Sequence, residues 1–519
     1  MSTSREAAEY DFIVVGTGGG LIGAWAAGRR GLRTLVLEKT DTVGGTTALS
    51  GAGIWIPASA PMRRAGIDDS IEAATEYLDA IVGDDAPREL RQAYLHVGPE
   101  MVDELEQDAH FGELAWRQIP DYFHEYPGHL RKGRTIFPAD IDRAELGDLE
   151  PLVRRPLWTD YWGVEPPTTM IGGQALTARA LRAAVATGNV TVLTNTPLTD
   201  LVIEDGRVVG VKAEHDGQAV TYRAARGVLL AAGGYERNAE LRQRHQPPVT
   251  DAWTSGAPGN TGDALAAATA IGAGTALLDE AWFAPGIVTP DSRPVFYTMV
   301  WSGIWVNSAG QRFMNERLPY DRAGHELMRQ QVIPAWWVFD QTLVDADGFR
   351  ELPVEPKVPG WFDVDRWLAG GALRRADSLG ELAAQIGVPA DALSATVDEW
   401  NGFARNGVDE AFHRGEAPWD RVVRGLWGDH TDGPNPCLGV LAKPPYYAVQ
   451  VVPTDLGTKG GVTTDADSRV LREDGTVIDG LYAAGNTMAP PLGRIYPGAG
   501  GPIATTMIFS YLAAVHAAA

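Results

Sequence analysis

Residues 11–16 (Asp-Phe-Ile-Val-Val-Gly) form an apolar run ending in glycines, an alanine-rich stretch follows, and Thr34 to Glu38 is a second apolar run. The pattern predicts strand, glycine turn, helix, strand, the opening of a nucleotide-binding βαβ unit. Residues 70–110 carry apolar positions at helical spacing. Thr191 to Glu214 holds two β-type runs joined by Asp205-Gly206, a strong hairpin signal, and a second turn, Asp216-Gly217, leads into Tyr222 and Arg223. Gly227 to Ala232 is continuously apolar and ends at Gly233-Gly234, which reads as a strand returning to a sheet covered on both faces. Between about 285 and 445 the chain becomes rich in Trp and Pro, with short helices over 380–387 and 392–405. After it, Asp479 to Asn486 is another strand-plus-glycine element, then a Gly/Pro-rich loop and a final helix. The expected class is α/β: a Rossmann-like domain split in sequence, with an inserted α+β substrate domain.

Length and charge narrow this picture. A chain of 519 residues exceeds one ordinary domain, and 45% apolar residues supply a large core. Acidic residues outnumber basic ones, 67 against 44, for a net charge of −23, which argues against a nucleic-acid partner. The single cysteine, Cys437, makes neither an intrachain disulfide nor a multi-cysteine metal or iron–sulfur site, so no metal is expected and a reducing, cytoplasmic setting fits. The first ten residues are polar and lack an apolar signal core. No stretch of about 18 uninterrupted apolar residues exists, so no integral span is expected. Ile503 to Ala519 is interrupted by Thr505, Thr506, Ser510 and His516 and reads as a buried helix, with peripheral membrane association as the alternative.

Gly16, Gly18 and Gly20 stand between strand and helix, where unpaired helix N-terminal N–H groups face a pyrophosphate. Glu38 ends the next strand, 20 residues after Gly18, the place of a carboxylate that accepts from a ribose 2′-hydroxyl. The usual G-x-G-x-x-G spacing is not kept: position 21 is Leu, and Gly20 takes the role of the third glycine in a loop one residue shorter. Gly44 to Gly51 (GGTTALSG) adds a second glycine- and hydroxyl-rich loop, which an enzyme using NAD alone has no need of.

The first βαβ unit, this second loop, Ala232-Gly233-Gly234, Pro258 to Asp263 (PGNTGD), Gly457 to Asp465 (GTKGGVTTD) and Ala484-Gly485-Asn486 together resemble the fumarate reductase/succinate dehydrogenase flavoprotein superfamily over nearly the whole chain. The resemblance implies FAD in an extended pose. It assigns cofactor binding to Gly16, Gly18, Gly20, Glu38, Lys39, Gly45, Thr46, Thr47, Ser50, Gly51, Ala232, Gly233, Gly485, Asn486, Pro502 and Ile503. The change of composition near 285 and 445 divides the chain into an FAD-binding domain made of residues 1–283 and, at the C-terminal end, 446–519, and a catalytic domain, 284–445. Some members link FAD to a histidine near the GG-T-x-A-x-SG loop; the first histidine here is His96, so noncovalent FAD is expected.

Two segments resemble the 3-ketosteroid Δ1-dehydrogenases within that superfamily, and a third resembles its dicarboxylate reductases. Leu492 to Gly501 contains Tyr-Pro-Gly-Ala-Gly, the family's Y-P-G-x-G loop, whose tyrosine hydroxyl and last glycine N–H bind the C3 carbonyl; those roles fall on Tyr496 and Gly500. Gly310 to Asp321 matches the segment where dicarboxylate reductases place an arginine proton donor, and Tyr320 stands at that position. Asp121 to Gly128 resembles D-Y-x-x-E-x-P-G, whose tyrosine hydrogen-bonds the catalytic one; that is Tyr122, with Tyr126 as its rival. The implied reaction is 1,2-desaturation of a 3-oxosteroid A ring. Tyr320 takes the C2 proton, with its anion supported by Tyr122. Tyr496 and Gly500 hold the C3 oxygen as an oxyanion hole, and the C1 hydrogen passes as hydride to flavin N5. Phe296 and Tyr297 are placed in the steroid slot by position. The partners implied are a 3-oxosteroid or similar cyclic ketone and a quinone-type electron acceptor. The competing readings are a 3-ketosteroid Δ4-dehydrogenase or other cyclic-ketone desaturase, a fumarate-type dicarboxylate enzyme, and a flavin-binding protein without turnover. The dicarboxylate reading would draw on Arg312, Arg317, Arg322 and Arg494.

Overall fold

The computed structural model describes residues 5–297, 302–330, 332–346, 363–421 and 433–519. The chain forms two compact units: residues 1–251, 256–281 and 457–519 make the first, residues 252–255 and 282–456 the second. The sequence pattern put these boundaries at 283/284 and 445/446. The second unit's end, at 456, falls inside one unbroken strand, Tyr446–Thr458.

The first unit is built on a sheet in the order Arg469–Leu471, Val477–Ala483, Gln218–Leu230, Arg5–Val15, Thr34–Leu37, Val190–Leu193. Val15 lies opposite both Leu37 and Leu230, and Leu230 opposite Ala483, all in parallel pairs. Phe12, Ile13 and Val14 are fully buried, as a strand covered on both faces requires. The covering helix Gly20–Arg29 lies against helices Gly172–Ala186 and Gly501–Ala518. Both expected turns form. Asp205 and Gly206 have φ of 49° and 80° between Glu204 and Arg207, and Asp216 and Gly217 have 51° and 71° between His215 and Gln218. Two successive left-handed residues match the right-handed strand twist, which Asp-Gly supplies at low cost. The run 227–232 is the end of a single 13-residue strand, Gln218–Leu230, antiparallel to Arg207–His215 at its start and parallel to Arg5–Val15. Gly501–Ala518 is, among the described residues, the one helix long and apolar enough to cross a membrane, and most of it is buried in the fold.

The second unit holds a sheet in the order Pro294–Phe296, Ala281–Val288, Tyr446–Thr458, Ala335–Asp340, Ile304–Val306, with Leu373–Ala376 also paired to Tyr446–Thr458. Helices Leu379–Ile386 and Ala390–Asn406 bury Leu382, Ile386, Leu393, Val397 and Trp400 against Ile304, Val306, Trp336 and Val338. The first of them has a local start and stop: Ser378 Oγ accepts from Glu381 N at 3.2 Å, and Gly387 leaves it at φ 72°.

Candidate active site

The glycine turn of the first unit leaves little room for side chains at its glycines. Gly16 has φ +98°, and a Cβ there would sit 2.3 Å from the Ala231 carbonyl oxygen. At Gly18 it would approach the Thr47 hydroxyl to 3.1 Å, and at Gly20 Val14 to 2.9 Å. These are the three elements of a dinucleotide fingerprint, namely tight turn, backbone approach and helix–strand packing, so Gly20 serves as the third glycine in spite of Leu21. The helix begins at Gly20, leaving its first-turn amides without intrahelical acceptors and aimed as an anion site. In the second loop a Cβ at Gly44 would meet Ala48 and Thr177 at 2.7 Å, whereas one at Gly45 or Gly51 would meet nothing within 4 Å, so that loop is open at those two glycines. Glu38, nearly buried, accepts from Thr17 Oγ1 and from Thr40 N and Oγ1 at 2.9 and 2.8 Å, which fixes its carboxylate at the strand end. Together these features fit the pyrophosphate and ribose of a dinucleotide.

The other assigned cofactor residues distribute around this turn. Thr46 Oγ1 accepts from Ala257 N at 3.0 Å and Asn260 Nδ2 at 2.9 Å. Ser50 Oγ donates to Thr47 O at 2.7 Å. Thr487 Oγ1 accepts from Ala232 N at 3.1 Å and donates to Gly233 O at 2.9 Å. Gly485, at φ +63°, starts the short 3-10 turn that contains Asn486. Pro502 and Ile503 open the terminal helix behind Gly500. Lys39 turns to Thr261 and Asp263, at 2.5 and 2.7 Å.

Also in the first unit, the Gly500 N–H donates to the Tyr496 hydroxyl oxygen at 3.2 Å. The Tyr122 ring packs on Tyr496 with centroids 5.4 Å apart, and both rings are almost fully buried. The loop carbonyls are tied to surrounding structure. Pro497 O accepts from Tyr77 Oη at 2.8 Å and Tyr122 N at 3.0 Å, Ala499 O from Thr135 Oγ1 at 2.8 Å, and Gly500 O from Trp55 N at 3.3 Å. Beneath them Trp55 Nε1 donates to Asp121 at 2.9 Å, and Arg134 joins Asp121 to Asp69. Burial, and for Tyr77 the nearby Asp121 charge, push the Tyr77 and Tyr94 hydroxyls well above the ordinary tyrosine value, so both remain donors. The Tyr94 hydroxyl donates to Trp55 O at 2.7 Å. None of Trp55, Tyr77, Tyr94, Thr135 and Arg134 stood out in the sequence. Tyr77 and Tyr94 were only members of a helical pattern.

In the second unit Tyr320 is half-buried and is the first residue of helix Tyr320–Met328, a position where the helix dipole favours negative charge. Phe296 meets it edge-on at 5.2 Å. Tyr297 is 1% exposed and packs on Trp337 at 5.0 Å. The segment before Tyr320 is held by buried charges: Glu316 pairs with Arg312 at 2.8 Å and Arg414 at 3.1 Å, and Arg312 also with Asp409 at 2.8 Å. Arg317 Nη1 donates to Asp420 O at 3.0 Å, and in the first unit Arg494 pairs with Asp279 and Glu280. Arg312, Arg317 and Arg494, on which a dicarboxylate reading would draw, therefore already serve protein acceptors.

Burial opposes the Glu316 carboxylate, but Arg312 and Arg414 outweigh it and hold its pKa below the ordinary 4.5. A depressed carboxylate stabilises the fold fully above the unfolded value, and this contribution is lost as pH falls through the folded one. The melting temperature therefore falls on acidification below about pH 4.5, and Glu316→Gln, already destabilised by the lost pairs, shows a shallower acid slope. Parallel slopes in thermal melts of the two proteins would count against this ion-pair account.

The fold and its glycine cradle define a flavin-dinucleotide enzyme. A family model described as FAD binding domain matches residues 11–503. The chain is 40% identical to the 3-oxosteroid 1-dehydrogenase of Mycolicibacterium smegmatis, over 98% of this chain and 97% of that protein. It is 35% identical to the 4-oxocyclohexanecarboxylate 2-dehydrogenase of Sinomonas cyclohexanicum, over 97% and 92%. The crystal structure of the 3-ketosteroid Δ1-dehydrogenase of Sterolibacterium denitrificans in complex with 1,4-androstadiene-3,17-dione matches with TM-score 0.89 at 35% identity, covering 99% of this chain and 100% of that one. The chain belongs to the 3-oxosteroid 1-dehydrogenase family of FAD-dependent oxidoreductases.

Proposed function

We propose that this enzyme introduces the 1,2 double bond into the A ring of a 3-oxosteroid. The observation that carries the reading is the pairing of the Tyr496 hydroxyl with the Gly500 N–H, on a loop whose carbonyls are tied elsewhere. The Gly500 N–H donates to the Tyr496 oxygen in the free enzyme; turned from it to a substrate ketone, it and the Tyr496 O–H give one developing oxyanion two donors, each worth roughly 10²–10³ in rate. The Tyr496 and Tyr122 rings keep water from that oxygen. Tyr320 is the proposed base for the C2 proton: free tyrosine titrates at about 10, and the helix N-terminus favours its anion. Tyr122 is proposed to support the tyrosine chemistry, and Phe296 to border the steroid. FAD, when bound, supplies the acceptor for the C1 hydride. Gly16, Gly18 and the first-turn amides would hold its pyrophosphate noncovalently, with Glu38 toward the ribose. A quinone is proposed as the final electron acceptor.

A second reading is favoured by the Sinomonas relative: a monocyclic 4-oxo acid offers the same ketone to the same donor pair. Anaerobic mixing of the holoenzyme with androst-4-ene-3,17-dione separates the two. Bleaching of the flavin band and a product lighter by two hydrogens is the expected result. A flavin that stays oxidised with the steroid but bleaches with 4-oxocyclohexanecarboxylate would replace the first reading by the second.

A further inference from the structure

The ketone donors sit on a loop that has little rigidity of its own, since Pro497 to Gly501 contains three glycines. Its shape is imposed from outside. Thr135, fully buried at the start of strand Thr135–Pro138, donates to Ala499 O at 2.8 Å, directly before the Gly500 N–H. The Ala499 carbonyl and the Gly500 N–H belong to one planar peptide, so fixing the first fixes the direction of the second. Two residues earlier, Tyr77 Oη donates to Pro497 O at 2.8 Å and accepts from Phe123 N at 3.1 Å, tying this loop to the one bearing Tyr122. Neither residue lies on the loop, and each hydroxyl acts on backbone.

We infer that Thr135 and Tyr77 are positioning residues that aim the Gly500 N–H and the Tyr496 hydroxyl at the substrate ketone, and that Thr135 acts by holding the 499–500 peptide plane. The inference rests on the ketone-binding role given above to Tyr496 and Gly500. A misaimed donor loses transition-state stabilisation while contacts along the rest of the substrate persist.

The test compares Thr135→Val, which keeps the shape and removes the hydroxyl, with Thr135→Ser, which keeps the hydroxyl. Holoenzymes are mixed anaerobically with androst-4-ene-3,17-dione, and binding of that steroid is compared with binding of its 3-deoxy counterpart by perturbation of the flavin spectrum. In Thr135→Val, flavin reduction at saturating steroid falls about tenfold while binding of the 3-deoxy steroid stays within about twofold. Its preference for the 3-oxo over the 3-deoxy steroid falls by a similar factor, and Thr135→Ser restores both. Tyr77→Phe shows the same split. Unchanged reduction and preference in Thr135→Val, or equal losses in Val and Ser variants for both steroids, overturn the inference alone. A wild-type flavin that neither bleaches with the 3-oxosteroid nor distinguishes it from the 3-deoxy compound overturns the steroid reading and this inference with it.

Discussion

Replacing Tyr320 by Phe lowers the rate of flavin reduction by 3-oxosteroid about 10³-fold, the middle of the range for loss of a positioned acid–base group. The substitution removes one oxygen and keeps the ring, so the edge-on contact with Phe296 at 5.2 Å survives. The buried pairs of Arg312, Glu316, Asp409 and Arg414 that hold the preceding segment do not involve the lost hydroxyl. The fold and the flavin spectrum are therefore expected to match the wild type, and steroid binding to change little. Anaerobic stopped-flow traces decide the matter. A Tyr320→Phe rate within tenfold of wild type would mean that another group takes the C2 proton.

Gly500→Ala is the second large effect, and its cause is steric. Gly500 has φ +98°, and an added Cβ would lie 2.2 Å from the Gly53 carbonyl carbon and oxygen and 2.4 Å from Ile54 N. All are backbone atoms of the segment leading into Trp55, so the clash is not relieved by a rotamer change. The loop has to shift, which carries the 500 N–H away from Tyr496 and disturbs the first turn of helix Gly501–Ala518. The expected outcome is a loss of at least about 10² in turnover with a destabilisation of ~1–3 kcal/mol. Steady-state assays and thermal melts of the holoenzyme check both. Wild-type turnover in the variant would show that the ketone does not depend on this N–H.

What could be read from the sequence was what is local in it. Asp205-Gly206 and Asp216-Gly217 declare their turns because the needed backbone torsions are a property of those two residues. The glycine turn and Glu38 lie within one short βαβ unit, so spacing alone brought them together. The role of Gly20 followed from the same spacing despite Leu21. Tyr496 and Gly500 share a motif and were found as a pair. Their supports were not, because Tyr77 and Thr135 reach the loop across 420 and 364 residues of chain, and no local pattern records such a contact. Lys39 shows the converse: its place after the second strand suggests the cofactor, while its ammonium is taken up by Asp263, 224 residues on. The Trp- and Pro-rich composition stops near 445, where strand Tyr446–Thr458 begins, and the second compact unit ends at 456, within that strand.

The central sheet of the first unit is assembled from three distant stretches, 5–37, 190–230 and 469–483. This ordering has a consequence for biogenesis. The opening strand waits through much of translation for its neighbour Gln218–Leu230, and that strand in turn waits for Val477–Ala483 on its far edge. Such non-local pairing folds slowly and leaves unpaired edges in the interval. The strands of the inserted unit, by contrast, are synthesised in one run. The strands that carry the glycine turn and Glu38 are all made by residue 230, whereas Val477–Ala483 and the Gly485 turn come last, so the face toward the dinucleotide is completed only once those residues have been synthesised.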